Sequence, residues 1–235
     1  MIHAKIPLTR AEELFRRIQD FHDHNLPHLE QIKSTLFETV EILDRHNIEY
    51  ILFGGLAGFQ LGRPRETHDI DFLIHPTDAE NTLEVLAKYN FETERRDPQW
   101  IYKAWKNEVL VDFIFKSCGD IFIDDEVKSH ARKLSYWGRM IQTISPEDYL
   151  MIKVAANREK ASHHWYDALS VLKEGQIDWS YLLIRSRYAP RRLLSLLIYA
   201  HSIDIGVPQD VIYELYKNIY APGLITQERD FSYST

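Results

Sequence analysis

The sequence predicts an α+β fold, in which a β-sheet with flanking helices gives way to a helical C-terminal region. Three observations predict it. Short apolar runs rich in strand-forming residues, "IEYILF", "DIDFLI" and "VLVDFIF", recur between residues 48 and 115, with helical stretches among them. After residue 145 the pattern is mostly helical. Between the two, "SPED" at 145–148 offers a serine N-cap, a proline for the first helical position and two acids for the first turn. The boundaries expected are N-terminal helices over 1–47, a sheet-bearing core over 48–144 and a helical region over 145–235.

The elements follow in order. "AEELFRRIQDFHDHNLPHLEQIKSTLFETVEILDRHN" carries helical spacing at Leu29, Ile32, Leu36, Val40 and Leu43, and Pro27 separates a short first helix from a longer second. "IEYILFGG" reads as a buried strand ending at two glycines, "LAGFQLG" as a short helix and "RPRETH" as a loop. "DIDFLI" is the next strand, followed by a helix in "PTDAENTLEVLAKYN" with Thr77 or Asp78 as N-cap. "WIYKAWKN" and "VLVDFIF" read as strands paired around a turn at Asn107-Glu108. Short strands are expected at "IFI" and "MIQTI" before the helical region begins.

With 235 residues, 45% hydrophobic and 12% aromatic, the chain can form one large domain or two small ones around a real core. Cys118 is the only cysteine, which excludes an intramolecular disulfide and a cysteine-based zinc cluster. "MIHAKIPLTRAEELFRR" lacks the apolar core of a signal peptide, and no run approaches the roughly 20 apolar residues that cross a bilayer. A soluble, cytoplasmic protein with no membrane partner is expected. The formal charge of −7 disfavours indiscriminate nucleic-acid binding, but it is uneven: residues 128–192 hold 12 Lys+Arg against 6 Asp+Glu. That basic stretch fits an anionic ligand and solvated helix faces equally.

Strand alternation puts Asp69 and Asp71 on one side and Ile70 on the other. Carboxylates held so close repel, and a hard cation such as Mg²⁺ reverses that repulsion; a solvated or capping role is the alternative. Asp112 interrupts an apolar run, where an unpartnered carboxylate is costly. It either joins the first two, giving three acids able to hold two metal ions, or pairs with a buried Arg or Lys. Gly54 and Gly55 let the backbone approach a phosphate closely, although paired glycines also occur in ordinary turns. Lys153 lies inside "YLMIKVAA" as a phosphate contact or a snorkelling side chain, and Arg158 is a phosphate contact or a partner for Asp167. Arg63 and Arg65 contact phosphate or solvate their loop, and His68 is expected to point away from the carboxylates. Arg185, Arg187, Arg191 and Arg192 read foremost as a solvated helix face, with RNA or a nucleotide tail as the other reading.

Together these residues resemble the nucleotidyltransferase superfamily related to DNA polymerase β. That pattern runs strand, Gly-Gly or Gly-Ser, short helix, Arg-x-Thr-x-Asp-x-Asp, then a third acid on a later strand. Here it reads Gly54-Gly55, Arg65-Glu66-Thr67-His68-Asp69-Ile70-Asp71 and Asp112. "SPEDYLMIKVAANREKASHHWYDALSVL" is similar to the "EDL…K…R…D" segment of minimal and toxin-type members, onto which Lys153, Arg158 and Asp167 fall. The likeness spans about residues 48–175 and weakens towards 208.

The resemblance implies a nucleotidyltransferase-type mixed sheet, with the catalytic core over 48–144, and two-metal nucleotidyl transfer. Asp69, Asp71 and Asp112 would be the catalytic acids and metal ligands, with Mg²⁺ or Mn²⁺ as cofactor. Gly54, Gly55, Arg65, Thr67, Lys153 and Arg158 would bind a nucleoside triphosphate. The acceptor would be a small molecule, a tRNA end or a protein, and a toxin-type member would have an antitoxin partner. A nucleotide- or partner-binding module that has lost catalysis is the alternative. Dehalogenase-type phosphatases and sugar-nucleotide transferases also use Asp-x-Asp, but "RPRETH", the upstream Gly-Gly and Asp112 fit them less well.

Overall fold

The computed structural model describes residues 26–63 and 65–221; the short helix expected ahead of Pro27 lies outside them. The chain divides into two compact units, Met1–Ser145 and Pro146–Thr235. In the first, α1 (Leu26–Arg45) buries Ile32, Leu36, Val40 and Leu43 as the helical spacing predicts, and Pro27 sits in its first turn, where a missing N–H removes no helix bond. Then come β1 (Tyr50–Phe53), α2 (Gly54–Gln60), β2 (Asp69–Ile74), α3 (Ala79–Lys88), β3 (Glu92–Asp97), β4 (Ile101–Lys106), β5 (Val109–Ile114), α4 (Asp125–His130), β6 (Arg132–Tyr136) and β7 (Arg139–Thr143).

The seven strands form one mixed sheet in the order β3-β4-β5-β2-β1-β7-β6. β2 pairs with β5, and β1 with β7, in parallel; the other neighbours are antiparallel. One face carries Leu52, Ile70, Phe72, Tyr102, Ala104, Val111 and Phe113 into a core shared with Ile32, Leu36 and Val40 of α1 and Leu83 and Leu86 of α3. Burying a large apolar side chain contributes about 1.5–3 kcal/mol, so this layer holds the strands in register for whatever the opposite face bears.

Several local features differ from the sequence reading. "ETERRD" forms β3 although it has no apolar alternation; it is an exposed edge strand paired with β4 alone, and its charges suit an edge that must not recruit another chain. "RKLSY" forms β6 against β7. "IFI" forms no strand: Ile121 and Ile123 are buried, and the chain goes on to α4, where the Asp124 carboxylate accepts the Val127 N–H at 2.7 Å. The Asp78 side chain makes no capping bond to α3; residues 76–78 form a 3₁₀ turn whose Thr77 N–H is accepted by the His75 ring at 3.4 Å. The β4–β5 turn falls at Asn107 and Glu108 as expected, both with positive φ (51° and 64°), the primed hairpin geometry.

The second unit contains α5 (Pro146–Ala156), α6 (His163–Glu174), α7 (Trp179–Arg185), α8 (Pro190–Ser202) and α9 (Gln209–Tyr220). Helix α5 is buried at every position but its last, and α6, α7 and α8 pack against it. Its two acids do more than meet the helix dipole. Glu147 accepts the Asp178 N–H at 2.6 Å. Asp148 pairs with Arg185 at 2.6 Å, both 0% exposed, and accepts the Tyr181 hydroxyl at 2.7 Å. Arg185 is therefore an interior ion, not part of a solvated face. Among the described residues no helix is long and apolar enough to cross a membrane.

Removing one partner of a buried pair strands the other charge, at a cost of about 3–5 kcal/mol. Asp148→Asn should destabilise the helical unit by that order in urea unfolding. The double variant Asp148→Leu with Arg185→Met should recover most of the loss.

Candidate active site

The register of the sheet assembles the acids. Asp71 lies directly opposite Asp112 across the parallel β2–β5 pair, and Asp69 stands two residues before Asp71 on the same face. One carboxylate oxygen from each of the three lies within 4.8 Å of the others. Mg²⁺ holds oxygens at about 2.1 Å, so ligands on opposite sides of one ion stand about 4.2 Å apart. The three acids, all oxygen donors, could hold a metal ion.

The glycines and the threonine shape this cluster. Phe53 is the β1 partner of Asp71, so Gly54, next in the chain, turns directly beside that carboxylate. Gly54 has φ +65°, and a methyl group built on it would overlap the Asp71 carboxylate. A methyl group on Gly55 would overlap the Thr67 hydroxyl. That hydroxyl donates to Asp69 Oδ1 at 2.9 Å, which fixes the first acid of the motif. The Gly-Gly pair and Thr67 are thus tied sterically to Asp71 and Asp69.

Asp112 has a second neighbour. Lys103 is its direct partner across the antiparallel β4–β5 pair, and the ammonium stands 2.6 Å from Asp112 Oδ1, with the side chains 19% and 11% exposed. Both arrangements weighed for Asp112 therefore occur together: it joins the other acids, and it pairs with a half-buried lysine. Burial pushes the Asp112 carboxyl above the usual range, Lys103 opposes that rise, and the nearby Asp69 charge adds to it. Lys103 escaped the sequence reading, yet a two-residue turn at 107–108 pairs Lys106 with Val109 and, counting back, Lys103 with Asp112.

The remaining candidates have their own surroundings. Arg65 donates to the Glu66 carbonyl at 3.1 Å. His68 meets His28 at 3.2 Å and Glu66 at 3.6 Å. In the helical unit Lys153 does not snorkel: it is buried, 3.3 Å from Asp167, with its ammonium 5.1 Å from the centre of the Tyr149 ring. Arg158 is exposed in the link after α5.

The mixed sheet carries Asp69, Asp71 and Asp112 on one face. Over residues 32–191 the chain matches the model of a family described as nucleotidyl transferases of unknown function (DUF2204). The chain belongs to that family and is an enzyme of the nucleotidyl-transfer class. No curated protein sequence matches it. Among solved structures it is similar to the lincosamide antibiotic adenylyltransferase LnuA with lincomycin bound, at 16% identity and a TM-score of 0.45 over 59% of this chain and 94% of that one. It is also similar to ANT(2″)-Ia in complex with adenylyl-2″-tobramycin, at 14% identity and 0.49 over 67% and 97%. A third is an antigenic nucleotidyltransferase-like protein from Paracoccidioides brasiliensis, at 20% identity and 0.45 over 71% and 92%.

Gly54→Ala should lower the melting temperature more than Gly138→Ala. Gly138 also has positive φ (84°), but a methyl group there meets nothing within 4 Å, so only the backbone strain of about 1–2 kcal/mol applies. For Asp112 the folded pKa exceeds the unfolded one, so its contribution to stability is complete below the unfolded value and is withdrawn as pH rises through the folded one. In metal-free buffer, the stability of wild type relative to Asp112→Asn should therefore fall as pH rises above about 4, read from urea midpoints. A flat difference would count against the shift.

Proposed function

We propose that the protein is a Mg²⁺-dependent nucleotidyltransferase that moves a nucleoside monophosphate from a nucleoside triphosphate to an acceptor and releases pyrophosphate. The observation that carries this reading is the convergence of Asp69, Asp71 and Asp112, with carboxylate oxygens within 4.8 Å of one another. Mg²⁺, or Mn²⁺ in its place, would be held by these three acids and would neutralise phosphate charge while acidifying the acceptor hydroxyl. In the transfer, the acceptor oxygen bonds to the α-phosphorus and the bond from that phosphorus to the bridging oxygen of the leaving pyrophosphate breaks. Asp112 would take the hydroxyl proton. Gly54 and Gly55 would seat the triphosphate, and Thr67 would keep Asp69 aimed. Arg65 would meet phosphate charge.

The acceptor class stays open between a small molecule, a tRNA end and a protein side chain; a toxin-type activity held by an antitoxin in the cytoplasm belongs to the same reading.

Thermal unfolding of wild type and Asp71→Asn with ATP, GTP, CTP or UTP, each with and without Mg²⁺, separates these readings from failure. A nucleotide at about 100 times its dissociation constant adds about 2.7 kcal/mol to the folded state. A Mg²⁺-dependent shift is expected in wild type and not in Asp71→Asn. Pyrophosphate release with that nucleotide and a panel of acceptors then distinguishes transfer from binding. No Mg²⁺-dependent shift with any nucleotide would sink the reading.

A further inference from the structure

We propose that Lys103 is a resident counter-ion of the acidic cluster, one that competes with a divalent metal for Asp112 and keeps the site from loading metal tightly before nucleotide arrives. The inference rests on the metal-binding reading of the three acids. Its basis is a row of cross-strand partners on one face: Asp71 on β2, Asp112 on β5, Lys103 on β4 and Glu94 on β3. Lys103 holds Asp112 at 2.6 Å in a half-buried position, where a unit charge acts strongly on its neighbours. A metal approaching Asp112 therefore meets an ammonium already within contact distance of one of its ligands.

The same row offers Lys103 a second position. Glu94, which pairs with Arg96 at 3.4 Å, lies directly opposite it on the exposed edge strand, so an ammonium leaving Asp112 has a carboxylate across the next pair to share. An arriving triphosphate supplies a further negative partner, and with it the ammonium no longer has to stay on Asp112. Lys103 in this way links metal occupancy to nucleotide occupancy through charge alone.

The test is a Mn²⁺ titration without nucleotide, in which bound ion is read from loss of the free-Mn²⁺ electron paramagnetic resonance signal, on folded wild type, Lys103→Met, Lys103→Gln, Lys103→Arg and Asp71→Asn. Removing the charge should tighten Mn²⁺ binding on the order of ten-fold in both Lys103→Met and Lys103→Gln, while Lys103→Arg stays near wild type. Lys103→Gln can keep a hydrogen bond to Asp112 and so guards against misfolding of the methionine variant. It also discriminates: a lysine that merely orients Asp112 predicts that glutamine behaves as wild type and methionine binds more weakly. If wild type binds above Asp71→Asn but neither uncharged variant binds tighter, the counter-ion role is overturned while the metal site stands. If wild type and every variant match Asp71→Asn, the metal reading falls and this inference falls with it.

Discussion

The parallel pairing of β2 with β5 is the constraint from which the geometry of the acidic face follows. It sets Asp71 opposite Asp112, and a slip of one residue would replace Asp112 with Val111 or Phe113, side chains that belong to the opposite face. The core holds the register against such a slip. Ile70 and Phe72 pair with Val111 and Phe113 on the buried side, and Phe72 stacks on Phe113 with ring centres 5.8 Å apart. Moving the register by one residue would expose that whole set to water. Apolar burial on one face of the sheet is thus what holds like charges together on the other.

Bringing carboxylates together is unfavourable, and the local structure shows how the cluster is held. Thr67 donates to Asp69, Lys103 pairs with Asp112, and the left-handed turn at Gly54 leaves room for the Asp71 carboxylate. The rise in the Asp112 pKa shows that Lys103 does not fully offset burial and the Asp69 charge.

Much of this was legible in the sequence, for identifiable reasons. Alternation alone puts Asp69 and Asp71 on one face, and a two-residue turn at Asn107-Glu108 fixes every β4–β5 partner by counting. What could not be counted is the β2–β5 register, because a parallel pair has no turn to measure from and the chain between these strands carries α3, β3 and β4. The strand β3 has no apolar face to announce it; its partner β4 supplies the pairing, and six polar residues follow. Arg185 was misread because local composition around it is basic, whereas its carboxylate partner Asp148 lies far upstream on another helix. Tertiary pairing of ions leaves no period in a sequence.

The two units use charge in opposite ways, and the contrast locates the chemistry. In the helical unit, buried carboxylates converge on cations: Asp148 on Arg185 at 2.6 Å and Asp167 on Lys153 at 3.3 Å. Such pairs organise an interior and leave little field for an outside ion. In the sheet unit, three carboxylates converge on one another within 4.8 Å, on strands whose register is set by the core behind them. Selection for stability alone favours the first arrangement, since replacing Asp69 or Asp71 with a neutral residue would relieve repulsion without touching the buried layer. Such an arrangement fits the divalent ion proposed above. Lys103, 2.6 Å from Asp112, relieves that repulsion on one of the three acids by direct pairing.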